Sequence, residues 1–266
     1  MRIAGFLSVV LLTVAGLGAE LGQTVASGQS ATPNPSPVLL ELFTSEGCST
    51  CPPADKLLTE LDQNQLIKGV EVIALSEHVD YWNRLGWKDP FSSAQFSQRQ
   101  NDYSRALNLE EVYTPQMVVD GRTAFVGSKR AIALDAIAKA TRVPKAIVSV
   151  AVAASARSSV TLTVQVASVP DISRGDKAEV MLAVAESGLV SKVSRGENSG
   201  RELGHSAVTR KLTKIGTVDG KGFSSEAVVH LESIWKRQNV KIAVFVQERA
   251  SRRVLGAAAV RLTAES

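Results

Sequence analysis

The apolar positions of this chain follow two regimes. From 38 to 141 they alternate between unbroken runs and helical spacing. VLLELFTS (38–45) and VEVIALS (70–76) are continuous apolar segments closed by polar residues, the pattern of strands buried on both faces. Between them, PADKLLTELDQN (53–64) sets Leu57, Leu58 and Leu61 on one helical face. HVDYWNRLGWKDPF (78–91) is an aromatic loop. SSAQFSQRQNDYSRALN (92–108) has helix-forming composition, with Ser92 or Ser93 as cap. YTPQMVVDGRTAFVG (113–127) predicts two short strands around the turn Asp120-Gly121, and KRAIALDAIAKAT (129–141) predicts an amphipathic helix. Strand, helix, strand, helix, strand, strand, helix is α/β order.

Near Pro144 the pattern changes. AIVSVAVAAS, SVTLTVQVASV, KAEVMLAVAES, SEAVVHLES, VKIAVFVQE and VLGAAAVRLT are short alternating or β-branched runs with turns between them. They predict a second, all-β domain built as a small antiparallel sandwich. The expected division is an α/β domain over 38–142 and a β-rich domain over 143–266.

The first 37 residues belong to neither regime. Arg2 precedes an uncharged apolar stretch from Ile3 to Gly18, followed by small residues. This is the layout of a secretory signal peptide, assigned to 1–19, with Ser27 as the other candidate cleavage point. The run is short of the ~20 residues of a spanning helix. No stable membrane insertion is expected beyond the signal peptide. GQSATPNPSP closes a flexible linker over 20–37. The mature protein is expected to be periplasmic or secreted, where disulfides persist.

Charge adds one feature. The net charge is +4, but residues 1–141 carry 11 Lys/Arg against 15 Asp/Glu, and residues 142–266 carry 19 against 11. Two differently solvated surfaces account for this, as does an acidic partner or anionic surface facing the second half. No basic run with interleaved aromatics occurs, so nucleic acid is not an expected partner.

Candidate chemistry centres on FTSEGCSTCPPAD (43–55). Cys48 and Cys51 are the chain's only cysteines. A zinc site needs four ligands in most structural cases, and no second pair at metal spacing is present. A structural disulfide across three residues removes little entropy from the unfolded chain. A cycling dithiol needs this closeness, because the second thiol must attack a mixed disulfide in the same molecule. The pair also lies between a buried strand and a helix, where free backbone N–H groups and the helix dipole favour a thiolate. Cys48, expected to be the more exposed, is read as nucleophile and Cys51 as resolving thiol. Pro52 and Pro53 push regular helix past Cys51, and Glu46 opposes thiolate formation where it points the same way. Structural and metal-holding uses stay open, the latter with His78 as third ligand to a soft ion such as Cu(I).

Strand–CxxC–helix, a further strand, then Thr114-Pro115 opening a hairpin resembles the thioredoxin fold. That resemblance implies a cis peptide at Pro115, facing the redox pair beside a backbone edge free for substrate. More closely, LELFTSEGCSTCPPAD, HVDYWNRLGWKDPF, YTPQMVVDG and RGENSGREL together resemble DUF1223, a bacterial family of exported thioredoxin-like proteins. The resemblance implies an α/β thioredoxin-like fold and a candidate dithiol, but no substrate. Ser49 and Thr50 stand where thioredoxins have Gly-Pro, so no potential carries over.

The resulting expectation is an exported thiol–disulfide oxidoreductase that needs no cofactor and no metal. Cys48, Cys51 and Pro115 form its centre, and Thr114, Trp82 and Trp87 hold substrate. His78 or Asp80 relays the proton of the buried thiol; packing of Tyr81, Trp82 and Trp87 explains the same loop. Its partners would be a cysteine-containing exported protein and a redox partner that resets the pair. Arg195, Glu197, Asn198 and Arg201 are expected to dock the second half near the substrate groove. The alternative is a non-catalytic protein-binding or copper-handling module on the same scaffold.

Overall fold

The structure is a computed structural model that describes residues 1, 35–218 and 221–264. The expected signal peptide, apart from Met1, and most of the linker lie outside the described residues. In the first half the elements are β1 (Ser36–Thr44), α1 (Pro52–Asn64), β2 (Val70–His78), α2 (Ala94–Ala106), β3 (Gln116–Val119), β4 (Thr123–Val126) and α3 (Arg130–Ala140). In the second half they are β5 (Ile147–Ala156), β6 (Ser159–Ala167), β7 (Ala178–Glu186), β8 (Leu189–Lys192), β9 (Glu202–His205), β10 (Val208–Val218), β11 (Phe223–His230), β12 (Val240–Glu248) and β13 (Val254–Arg261).

The local reasons are those in the sequence. Leu57, Leu58 and Leu61 bury one face of α1. Ser93 caps α2 by accepting from Gln95 N. Asp120 and Gly121 both take positive φ, 46° and 63°, the mirror-image hairpin turn that Asp-Gly favours. A Cβ on Gly121 would stand 1.9 Å from Arg252 O, so the turn needs glycine for space as well as for φ.

The expected α/β thioredoxin-like domain followed by a separate all-β sandwich is overturned. The chain is mostly β, with three α-helices against thirteen strands among the described residues. One mixed sheet of eight strands, ordered β13-β12-β7-β10-β2-β1-β3-β4, runs through both halves. β1 and β2 are parallel, and β3 and β4 continue antiparallel to β1. β10 joins the outer edge of β2 through Val208 opposite Ser76, with Ser76 N donating to Ala207 O. The physical reason is the edge of β2. Near its carboxyl end Ser76 would otherwise leave its N–H unpaired, and the chain entering β10 accepts it at Ala207 O.

The sheet curls until β13 packs on β1. α1 and α3 share a core with Leu40 and Leu42 of β1, while Tyr103 of α2 packs with Phe43 in a smaller cluster. The three-stranded sheet β11-β6-β5 covers β7 and β12 through Leu162, Val164, Leu182 and Val244. β12 is thus buried along its whole length. Buried ionic contacts fasten the halves: Arg99 Nε donates to Glu41 at 2.7 Å and its Nη1 to Gln247 at 3.0 Å, and Lys241 pairs with Asp62.

Candidate functional site

β1 ends at Thr44, and the chain turns through Ser45–Cys51 into α1. Cys48 N donates to Ser45 O at 3.1 Å and Cys51 N to Cys48 O at 3.2 Å. Cys51 is the N-cap of α1, so regular helix starts at Pro52, one residue before the expected Pro53. Pro52 and Pro53 have no N–H, so two of the amides that would face a thiolate at this helix end do not exist.

Cys48 and Cys51 form a disulfide with Cα atoms 5.4 Å apart. Both residues are 0% exposed, which differs from the expected exposure of Cys48. The Thr50 hydroxyl donates to Cys48 Sγ at 3.3 Å, and Thr114 O lies 3.9 Å from the same sulfur. The Thr114-Pro115 peptide is cis. Trp82 Nε1 donates to Thr114 Oγ1 at 2.8 Å, tying the aromatic loop to that turn.

Beneath the disulfide lies a buried set of ionisable groups. His78 closes β2, and its Nδ1 meets Asp89 Oδ2 at 2.7 Å. The same Asp89 oxygen accepts from Glu46 N at 2.8 Å, so the loop folds back onto the cysteine turn. Glu46 points away from the cysteines: its carboxylate accepts from Trp87 Nε1 at 2.7 Å and meets His205 Nε2 at 3.0 Å. The two imidazole rings lie edge to face, 5.0 Å apart. His78 Nε2, His205 Nδ1 and Asp55 Oδ1 are buried without a hydrogen-bond partner. Burial pushes Asp55 up; the charges of His205 and His78 and the Thr44 hydroxyl pull it down, and burial wins.

The second half reaches this site through the loop between β8 and β9. Asn198 is fully buried, and its Nδ2 donates to Glu46 O and Cys48 O, both at 2.9 Å. Glu197 accepts from Ser49 N at 2.9 Å, and Arg201 donates to Asn198 Oδ1 at 2.8 Å. Arg195 is exposed.

Cys48, Cys51, Thr114, Pro115 and Trp82 therefore come together, and Trp87 and His78 join them through Glu46 and Asp89. Asp80 goes elsewhere: its Oδ1 accepts from Ser97 Oγ at 2.5 Å, fastening the loop to α2. Sequence reasoning missed the placement of Asp55 and His205. Asp55 stands four residues after Cys51, a spacing that puts both on one helical face and was available as a signal. His205 follows the RGENSGREL motif by two residues, but nothing local points it at Glu46. Among the described residues, no group of three or more His, Cys, Asp or Glu is arranged to hold a metal ion. No described helix is long and apolar enough to cross a membrane.

Solved structures carry the same fold. The crystal structure of protein AGR_C_4864 from Agrobacterium tumefaciens is 28% identical, with TM-score 0.66, covering 84% of this chain and 93% of that one. HBP35 of Porphyromonas gingivalis matches at 13% identity with TM-score 0.59, over 86% of this chain and 76% of that one. No curated protein matches. The model of one family, described as a protein of unknown function, covers residues 39–247, the span holding both cysteines, the Thr114-Pro115 turn, Asn198 and His205, and the chain belongs to that family, DUF1223.

Proposed function

We propose that this protein is a thiol–disulfide oxidoreductase of the periplasm or the secreted space, acting through Cys48 and Cys51. One observation carries the reading. The disulfide sits at a strand–helix junction, against the Thr114 carbonyl on one side and a buried set of acids and histidines on the other. A disulfide that only held the chain would have no use for unpartnered buried acid–base groups, which are costly to keep.

The chemistry follows. A substrate thiolate attacks Cys48 Sγ, the Cys48–Cys51 bond breaks, and Cys51 leaves with the electron pair and takes a proton. A second substrate thiolate attacks the substrate sulfur of the mixed disulfide, and Cys48 leaves. The substrate is oxidised to a disulfide and the protein reduced to a dithiol. A redox partner then accepts two electrons and restores the pair. Run backwards, the same steps reduce a substrate disulfide. Thr114 and cis-Pro115 would lie along the substrate, with Trp82 and Trp87 shaping the wall. His78 would help move the proton; Asp80, engaged with Ser97, is the weaker candidate for that role.

The complete burial of both cysteines favours a second reading, a structural disulfide in a binding module. Two measurements separate them. A redox titration in glutathione or dithiothreitol, read by thiol labelling of the folded chain, should give a reversible two-electron transition in the range of roughly −120 to −270 mV. Cys51→Ser should trap mixed disulfides with exported proteins, and Cys48→Ser should trap none. A disulfide that resists reduction until the chain unfolds, with nothing trapped by Cys51→Ser, overturns the oxidoreductase.

A further inference from the structure

A cleft of about 440 Å³ opens between α1 and the β8–β9 hairpin. Two residues of the buried set line it. Asp55 is 7% exposed and His205 is 4% exposed, and each carries a buried atom without a partner, Oδ1 and Nδ1. Pro52 of the cysteine turn lines it too. Asp55 N donates to Cys51 O at 3.1 Å, the i to i+4 bond of a helical turn. Residues so spaced stand one above the other, with Cβ atoms about 5–6 Å apart. Asp55 and Cys51 therefore project from one face of α1's first turn, and on that face Asp55 also lines the cleft.

We propose that Asp55, backed by His205, is the proton store of Cys51, and that the cleft connects it to solvent. This deepens the oxidoreductase reading and rests on it for its biological use. When a thiolate attacks Cys48 Sγ, the disulfide breaks and its electron pair goes to Cys51. The Asp55 carboxylic acid gives its proton to that sulfur, leaving Cys51 as thiol and Asp55 as carboxylate. In the reverse direction the Asp55 carboxylate takes the Cys51 proton. The Cys51 thiolate then attacks Cys48 Sγ of a mixed disulfide, and the substrate leaves as thiolate. Substrate thus enters at Cys48, while protons enter from behind Cys51.

The groups that face Asp55 set the balance. His205 of β9 and His78 of β2 favour its ionised form, as does the Thr44 hydroxyl of β1, while Asp89 of the aromatic loop opposes it. Lys56 and Glu202 line the cleft around it. Burial is the largest influence and keeps the acid protonated to a higher pH than usual, which a donor for a leaving thiolate needs.

The test uses the chain's own disulfide and needs no partner. The rate of its reduction by dithiothreitol is measured from pH 5 to 9 and divided by the reductant's thiolate fraction. In the unaltered chain the corrected rate should be high at low pH and fall as Asp55 loses its proton. Asp55→Asn keeps the shape and should give a flat profile, at least tenfold slower at the acidic end. An unchanged profile in folded Asp55→Asn overturns the proposal. Should that variant fail to fold by circular dichroism, His205→Gln is read instead. Loss of the histidine's charge should move the inflection to higher pH, and an unmoved inflection overturns the proposal. Failure here leaves partner trapping by Cys51→Ser intact. Failure of trapping alongside an Asp55-dependent profile would remove the oxidoreductase and keep the proton store.

Discussion

Both cysteines are sealed from solvent, so a reductant must wait for the segment carrying Cys48 to open. Asn198 is the group that holds that segment most directly, through hydrogen bonds from one Nδ2 to the carbonyls of Glu46 and Cys48. Asn198→Ala removes both. A buried hydrogen bond contributes about 1 kcal/mol net, so local opening should become easier by about 2 kcal/mol. At about 1.4 kcal/mol per tenfold, the open population should rise about thirtyfold. Where opening precedes attack, reduction by dithiothreitol should accelerate by the same factor. The assay is the rate of thiol appearance at fixed pH and reductant, followed by rapid alkylation and mass. Global stability is read in parallel by thermal denaturation, because a general loosening would raise the rate without the loop being special. Reduction no faster than in the unaltered chain would refute the reasoning. It would mean that Cys48 is reached past the Thr114 side without any movement of the 194–201 loop.

Further expectations rest on the buried charges. Arg99→Met should cost about 3 kcal/mol of unfolding free energy in urea, the lower end for a broken buried pair. It strands Glu41, which Arg99 and Tyr103 now satisfy, and it removes the Arg99 guanidinium 3.3 Å from Glu77, whose pKa burial and then the Glu41 charge drive well above the usual carboxylate range. A change within experimental scatter would mean that the network is not fastening the halves. The His78–Asp89 pair should make stability depend on pH in two windows. Burial pushes His78 down, but the Asp89 charge and hydrogen bond, with Asp55 and Glu46, outweigh it and raise the pKa. That contribution is complete below the ordinary histidine value of about 6.5 and is lost as pH rises through the raised folded value. Burial likewise pushes Asp89 up, but the His78 charge and bond and the N–H groups of Glu46 and Phe91 bring it below normal. Its contribution is present above about 3.9 and lost as pH falls through the lowered value. Asp89→Asn should therefore lower the melting temperature more at pH 6 than at pH 9; equal losses would contradict the pairing.

The elements of the first half were legible because each carries a local signal. Leu57, Leu58 and Leu61 mark α1, Ser93 caps α2, and Asp120-Gly121 makes the β3–β4 turn. What was not legible is which strands share a sheet. β10 escaped notice because VTRKLTKIGTV is studded with basic residues, and two register shifts against β7 break its alternation. VKIAVFVQE reads as a half-buried strand, yet Lys241 and Gln247 are buried too, satisfied by Asp62 and Tyr103 from the first half. A polar residue that finds a buried partner far along the chain looks in sequence like one facing water. The dithiol and the Thr114-Pro115 turn were visible as motifs. Asp55 had only its four-residue spacing from Cys51 as a signal and His205 had none, since a lone acid in a helix and a lone histidine in a strand are ordinary residues until something leaves them buried and unpartnered.

The second half matters to the site for a reason the sheet order makes plain. β10 closes the edge of β2, and the chain entering β10 carries His205 and Asn198 to the carboxyl end of that strand, where His78 stands. The contacts that hold Cys48 therefore come from residues about 150 positions away in sequence, across 150 and 152 residues for the Asn198 bonds and 159 for His205 to Glu46. A disulfide mounted only on β1 and α1 would be shielded by its own turn alone. Here the hydrogen bonds on the Glu46 and Cys48 carbonyls, the histidine partner of Glu46 and one wall of the Asp55 cleft are all supplied by the same hairpin region. Movement of that region would change the access of a thiol to Cys48 and the access of protons to Asp55 together. The access of a thiol to the disulfide would in this way depend on the seam between the two halves, and that dependence would follow from the β2–β10 pairing rather than from any feature of the cysteine motif.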